Sequence, residues 1–304
     1  MSKIIVVAGP TASGKTALSI HLAKKYNAEV INADAQQVYK DVNIGTAKIT
    51  KEEMENVKHH LLDFIPLDKN YSVKEYQEDG RNVLNNLINK NKNIVIVGGT
   101  GLYIKALLYD YKFSKETSSL DFSNLTNEEL KKEVDKIYEN NNIHINNRKR
   151  LERFLSHYKT TGNIIKNTLE KDKPLYDFTL IYLNPDREEL YKKINTRVDK
   201  MINEGLLNET ENLKEYSKLN SIIGYKELLE YINGKVSLEE AIENIKSDTR
   251  KYAKRQNTFF KNQFDNLNIF NVDYDNFNNT IKKVEDNLSS LYKEWLVKHM
   301  LFWV

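Results

Sequence analysis

Residues 9–16 read GPTASGKT, directly after the β-branched run KIIVVA (3–8) and directly before a stretch in which Leu18, Leu22 and Tyr26 recur at helical spacing. Strand, glycine-bearing loop and helix in that order are the context of a phosphate-binding loop. Gly9 and Gly14 let backbone N–H groups close around phosphate oxygens, with Pro10, Thr11, Ala12 and Ser13 between them. Lys15 adds a point charge, the Thr16 hydroxyl can sit on Mg²⁺, and the helix N-terminus contributes its dipole. Such a loop ties the fold to a buried parallel strand feeding a helix. Most loops of this kind hold ATP or GTP.

The rest of the chain supplies more units of the same type. AEVINAD (28–34) reads as a second strand ending in Asp34, with a polar helical stretch after it. NIVIVGGTGLYIKALL (93–108) gives a third strand, a glycine turn and a helix, and FTLIYLNP (178–185) a late buried strand. Alternation of strands and helices predicts an α/β fold, a P-loop NTPase-like parallel sheet flanked by helices. Between residues 112 and 175 the pattern changes to charged, helix-like sequence. TNEELKKEVDKIYENN and NNRKRLERFLSHYK fit two helices, the second stopped by Gly162. The division expected is a core of residues 1–111 and 176–304 with an inserted helical subdomain over 112–175. Residues 186–264 read as helical, with Ser237 and Glu240 in a capping-box pattern. The last forty residues read as asparagine-rich strand and helix, ending in the apolar tail LVKHMLFWV (296–304), whose role the pattern leaves open.

Composition narrows the classes. The 304 residues are 29% charged and 40% apolar, with no apolar run able to span a bilayer and no leader before the first strand. No membrane association, a cytoplasmic location and a monomer are expected. There is no cysteine, which excludes disulfides, thiolate metal sites and a cysteine nucleophile. The net charge of +3 makes no global demand for nucleic acid, so any basic surface must come from local clustering. His59 and His60 stand beside Leu61 and read as a helix end, not metal ligands.

A conventional P-loop NTPase carries a second, metal-binding acid at the end of a hydrophobic strand. Here IVIVGG (94–99) ends in glycines, and the carboxylate at a strand end near the loop is Asp34. Ligands of open α/β sheets sit at the carboxyl ends of strands, so Asp34 and Thr100 should face the same crevice as Lys15. From position alone Asp34 could act in catalysis, cap the next element or serve Mg²⁺.

Taken together, GPTASGKT, INADAQQVYKDVNIGTAK (31–48), VGGTGLYIKALL (97–108), RVDKMINEGLL (197–207), IIGYKEL (222–228) and TRKYAKRQNTFF (249–260) closely resemble the tRNA dimethylallyltransferase family of bacterial type. These segments occur in family order. The resemblance implies that the loop, Gly9 to Thr16, holds the diphosphate of dimethylallyl diphosphate, with Mg²⁺ on Thr16. It implies transfer of the dimethylallyl group to the exocyclic amine of the adenosine adjacent to the anticodon, so that tRNA, through its anticodon stem-loop, is the partner. It gives Asp34 the role of base, Arg197 that of stabilising the leaving group, and Thr100 a contact to amine or phosphates. Asp34, Ala35, Gln36 and Gln37 would line the adenosine side, Gln37 offering its amide to the base edge. Lys149, Arg150, Leu151, Glu152 and Arg153 would form a tRNA-contacting stretch. Without the family, Arg197 reads equally as a surface partner of Glu204, and Thr100 as a turn hydroxyl bonding local backbone.

TRKYAKRQNTFFKNQ (249–263) has five cations and no acid. On a helix Lys246, Arg250 and Lys254 form one stripe, which the family turns toward RNA, while Ile245, Tyr252, Ala253 and Phe259 form another that reads as core. The chain departs from the family in having Ala35 for a serine, RFLS (153–156) for an RALE-like stretch, Phe259 for a tryptophan, and a shorter insertion. Two other readings remain at this level: a small-molecule kinase in which the nucleotide-binding loop takes ATP, and a nucleotide-gated RNA-binding protein without chemistry.

Overall fold

In the computed structural model, which describes residues 2–113, 120–141, 143–164 and 173–300, the chain divides into two compact units. Met1–Leu108 with Tyr176–Val304 form the first, and Tyr109–Leu175 the second.

The first unit is built on a six-stranded sheet. Its strands are β1 (Ile4–Ala8), β2 (Ala28–Asn32), β3 (His59–His60), β4 (Asn93–Gly98), β5 (Thr179–Asn184) and β6 (Asn268–Asn271). Their order across the sheet is β3-β2-β4-β1-β5-β6, and every pairing is parallel. The central strand β1 is buried at all five positions, as a parallel strand covered on both faces requires. Helix α1 (Lys15–Tyr26) follows the loop and sends Leu18 and Leu22 into a core shared with Ile5, Val7, Val30 and Val95.

Two local expectations change here. The second strand stops at Asn32: the Ala33 amide makes a last bond to Val97 O at 2.7 Å, and Asp34 lies beyond the ladder. His59 and His60 are not a helix end. They form the short edge strand β3 beside Val30 and Ile31, where the His60 ring meets Glu29 at 2.7 Å. Residues 35–57 run through turns before the polar helix α2 (Val73–Asn89), which starts at a capping box formed by Ser72 and Glu75.

Helix α3 (Gly101–Leu108) follows β4, and four further helices of this unit follow β5: α6 (Arg187–Asn203), α7 (Leu206–Leu213), α8 (Tyr225–Ile232) and α9 (Leu238–Gln263). Asp186 caps α6 through the Glu188 and Glu189 amides, and Ser237 accepts the Glu240 amide at the start of α9, the forward half of the expected capping box. Helix α10 (Phe277–Met300) completes the unit, with Val284 and Leu288 in the core against α1. The end of the apolar tail, residues 301–304, lies outside the described residues.

The second unit, inserted between α3 and β5 in sequence, contains α4 (Asn127–Ile137) and α5 (Arg148–Thr161). Thr126 and Glu129 form a capping box on α4, and α5 ends at Gly162 in the left-handed region. Leu130, Val134, Leu151, Phe154 and Leu155 make its core. Among the described residues no helix is long and apolar enough to cross a membrane.

Candidate active site

The loop between β1 and α1 opens onto a crevice of about 1250 Å³ at the carboxyl end of the sheet. Gly14 has φ 88°, and a Cβ there would stand 2.5 Å from the Phe277 ring, so the motif's second glycine is required on both counts. Gly98 ends β4 where a Cβ would fall 2.1 Å from Ala33 O, which lets the 33–37 turn pass close to the strand end.

Lys15 faces the crevice and its Nζ donates to Pro10 O at 2.6 Å. Burial, reinforced by the Arg197 guanidinium and opposed by Asp34, pulls its ammonium down to about 7. Arg197, from α6, donates to Thr11 Oγ1 at 3.3 Å. Burial lowers its pKa, with Asp34 and Glu53 pulling the other way. Arg197 is thus a crevice residue, and Glu204 pairs with Lys200 instead. Lys15, Arg197 and Asp34 form one electrostatic group, a site poised for an anionic ligand.

Asp34 caps a turn, not a helix. Its Oδ1 accepts the Gln36 amide at 2.9 Å and the Gln37 amide at 3.3 Å, while Oδ2 has no hydrogen bond among the described residues. Thr100 Oγ1 accepts the Ala35 amide at 3.0 Å, so the hydroxyl holds the turn that carries Asp34. Tyr252 also lines the crevice, and burial raises its phenol.

Gln37 lines the crevice, with its Nε2 donating to Thr46 O at 3.0 Å and Ala47 O at 3.2 Å and so tying down the IGTA turn. Its neighbour Gln36 also lines the crevice, with Oε1 buried and, among the described residues, without a hydrogen-bond partner. The expected RNA-facing stripe on α9 instead packs on α6. Lys246 pairs with Asp199 at 2.8 Å and Glu243 at 3.0 Å, and Arg250 donates to Asn195 at 2.6 Å. Lys254 remains exposed. Of the α9 aromatics, Phe260 is fully buried and Phe259 covers Gly101, as packing requires, whereas Tyr252, read as core from the sequence, lines the crevice.

In the second unit the proposed tRNA stretch divides. Leu151 is completely buried in that unit's core, so its side chain cannot meet RNA. Glu152 pairs with Arg148, which also donates to Phe122 O and Leu125 O. Lys149, Arg150 and Arg153 are exposed on α5.

Several contributors carry no local signal. Gln256 is buried on α9, where Oε1 accepts the Thr11 amide at 2.8 Å and Nε2 donates to Gly99 O at 3.0 Å. It thereby joins the phosphate loop to the GGTG turn. Glu209 on α7 accepts the Asn43 and Ile44 amides at 3.2 and 3.0 Å and the Tyr225 hydroxyl, anchoring the segment after DAQQVY. Ile194, Val198, Met201, Ile222 and Ile245 give the crevice an apolar wall from separate segments. Helical periodicity marks such residues as core and cannot distinguish a wall from an interior.

A family model described as IPP transferase matches residues 37–263. The tRNA dimethylallyltransferase of Enterococcus faecalis is 42% identical over 278 residues, covering 86% of this chain and 90% of that protein. That of Anoxybacillus flavithermus is 43% identical over 277 residues, with 86% and 88% covered. Among solved structures, the tRNA isopentenylpyrophosphate transferase of Bacillus halodurans has a TM-score of 0.74 at 34% identity, covering 98% of this chain and 100% of that one. A eukaryotic dimethylallyltransferase acting on tRNA has a TM-score of 0.75 at 28% identity, covering 89% and 74%.

Proposed function

Since the chain belongs to the IPP transferase family, whose curated relatives are named tRNA dimethylallyltransferases, we propose that its crevice transfers the dimethylallyl group of dimethylallyl diphosphate to a tRNA adenosine next to the anticodon. The observation that carries this reading is the gathering of Lys15, Arg197 and Asp34 in one crevice, two cations at a phosphate loop and one carboxylate across from them.

An exocyclic adenine amine is a weak nucleophile because its lone pair is delocalised into the ring. As the amine nitrogen bonds to the allylic carbon, the carbon–oxygen bond to diphosphate breaks and the amine must lose a proton. Asp34 Oδ2 accepts that proton. The leaving oxygen gains charge, which Lys15, Arg197 and the loop amides neutralise. The hydrocarbon end of the donor lies against the apolar wall of Ile194, Val198, Met201 and Ile245. Gln36 Oε1, buried and without a partner among the described residues, accepts from the base edge. The base must leave its stack to reach this depth, which a single-stranded anticodon loop permits at modest cost.

Magnesium fits these residues. Ser13 Oγ, in the same loop as the Thr16 hydroxyl, is buried without a partner among the described residues, and both residues line the crevice. Among the described residues no three His, Cys, Asp or Glu side chains gather as a metal site, so Thr16, donor oxygens and water would hold the ion. When bound, it stabilises charge on the diphosphate. Lys149, Arg150 and Arg153 serve as phosphate contacts for tRNA. Action as a monomer is part of the same proposal, and a tRNA substrate supports a cytoplasmic location.

Asp34→Asn tests the assignment. Turnover should fall by about 10²–10⁴-fold, the usual contribution of a positioned base, with donor and tRNA binding retained. Turnover near that of the parent chain removes Asp34 as the base.

A further inference from the structure

The phosphate loop is also held from outside the segment that the family model matches. Ala12 has φ 62°, a left-handed conformation uncommon for a residue with a side chain. Its carbonyl accepts a hydrogen bond from the Tyr274 hydroxyl at 2.9 Å. Among the described residues no peptide is cis, and in a trans peptide the N–H lies opposite the C=O. With Ala12 O turned to Tyr274, the Ser13 N–H therefore points away from Tyr274. Ser13 lines the crevice, is completely buried, and its Oγ has no partner among the described residues.

Tyr274 is itself firmly placed. It lies in the turn between β6 and α10, where the Asp273 amide donates to Thr280 Oγ1 at 2.9 Å and Asp273 Oδ1 accepts the Asn276 amide at 2.8 Å. Phe277, three residues on, closes over Gly14. Further along α10, Glu285 meets Lys25 at 2.6 Å and His21 at 2.7 Å on α1. The C-terminal helix thus grips α1 along its length and the loop at its mouth.

We propose that Tyr274 is a positioning residue for the donor: its hydroxyl fixes the Ala12–Ser13 peptide so that the Ser13 amide is oriented in advance toward the diphosphate. This rests on the reading that the loop holds dimethylallyl diphosphate. Burial raises the phenol, so it stays a donor through the working pH range, and Lys193 lies 5.4 Å from the ring centre.

The test compares Tyr274→Phe with Tyr182→Phe. Tyr182 is a buried β5 residue whose hydroxyl donates to the Asn257 side chain, so its variant loses the same atom from a bond that does not hold the loop backbone. With Tyr274→Phe, the KM for dimethylallyl diphosphate and the Kd for inorganic diphosphate should rise by about 5–10-fold, the worth of one hydrogen bond. The kcat at saturating donor and the KM for tRNA should stay unchanged. Tyr182→Phe should lower the melting temperature and leave donor KM alone. An unchanged donor KM in Tyr274→Phe, or an equal rise in both variants, overturns the proposal while the donor reading stands. A parent chain that transfers nothing from dimethylallyl diphosphate overturns both.

Discussion

Replacing Lys15 by methionine should make the empty protein more stable while abolishing donor binding. In the folded chain the Lys15 ammonium sits in the crevice wall beside Arg197 and is pulled from its ordinary 10.5 to about 7. Between those values the unfolded chain binds a proton that the folded chain does not, so stability should rise with pH across that window. At pH 7 and below, the folded state carries the cost of the buried charge. At about 1.4 kcal/mol per pH unit, the ceiling on that cost is about 5 kcal/mol. Lys15 is only partly screened from the open crevice, so water lowers the cost to about 1–3 kcal/mol. Methionine removes this cost but leaves Pro10 O without its partner, a loss of about 1 kcal/mol. The net expectation at pH 6.5, with a chelator present, is a gain of up to about 2 kcal/mol. At about 2–4 °C per kcal/mol this appears as a rise of up to several degrees in melting temperature. The gain should shrink steadily toward pH 10, as the parent loses its charge and its penalty. Urea unfolding at four pH values, with calorimetric titration of dimethylallyl diphosphate, measures both sides. A less stable variant at pH 6.5, or a difference that does not change with pH, refutes the reasoning.

Gln256→Leu leaves the Thr11 amide and the Gly99 carbonyl without their partner, and crevice water should hold the loss to about 1–3 kcal/mol. Turnover should fall further than stability alone explains, because the phosphate loop and the turn bearing Thr100 are no longer tied; rates at matched folded fraction test this. In the second unit, Leu151→Ala should cost about 2–5 kcal/mol by opening a cavity in that unit's core, read by proteolysis. Lys149→Ala should instead leave folding intact and reduce the salt dependence of tRNA binding by about one phosphate contact.

What the sequence made legible followed from how local each contact is. GPTASGKT declares itself because strand, loop and helix are contiguous, and Asp34 because a carboxylate two residues past a strand end must lie at the crevice. Arg197 stands 186 residues beyond Thr11, the loop residue it bonds, and only the family resemblance brings it in. Gln256, Glu209 and Tyr274 escape notice because each bonds to backbone far away in sequence, and neither spacing nor composition records such a contact. Gln36 and Gln37 both line the crevice, but a local turn takes the Gln37 Nε2, a competition that neither spacing nor composition records. The α9 stripe reads as solvated since periodicity shows that Lys246 and Arg250 share a face, but not that Asp199 and Asn195 of α6 stand opposite. Leu151 shows the same limit inside a basic segment, where one apolar residue belongs to the core and its neighbours to the surface.

The central claim is that the loop holds an allylic diphosphate and delivers its hydrocarbon to tRNA. The direct measurement is to incubate the chain with Mg²⁺, labelled dimethylallyl diphosphate and unmodified tRNA, then map the label by nuclease digestion. Label on the adenosine beside the anticodon, lost in Lys15→Ala, is the result expected. Absence of label, together with ATP consumption, would contradict the account and give the loop to a kinase.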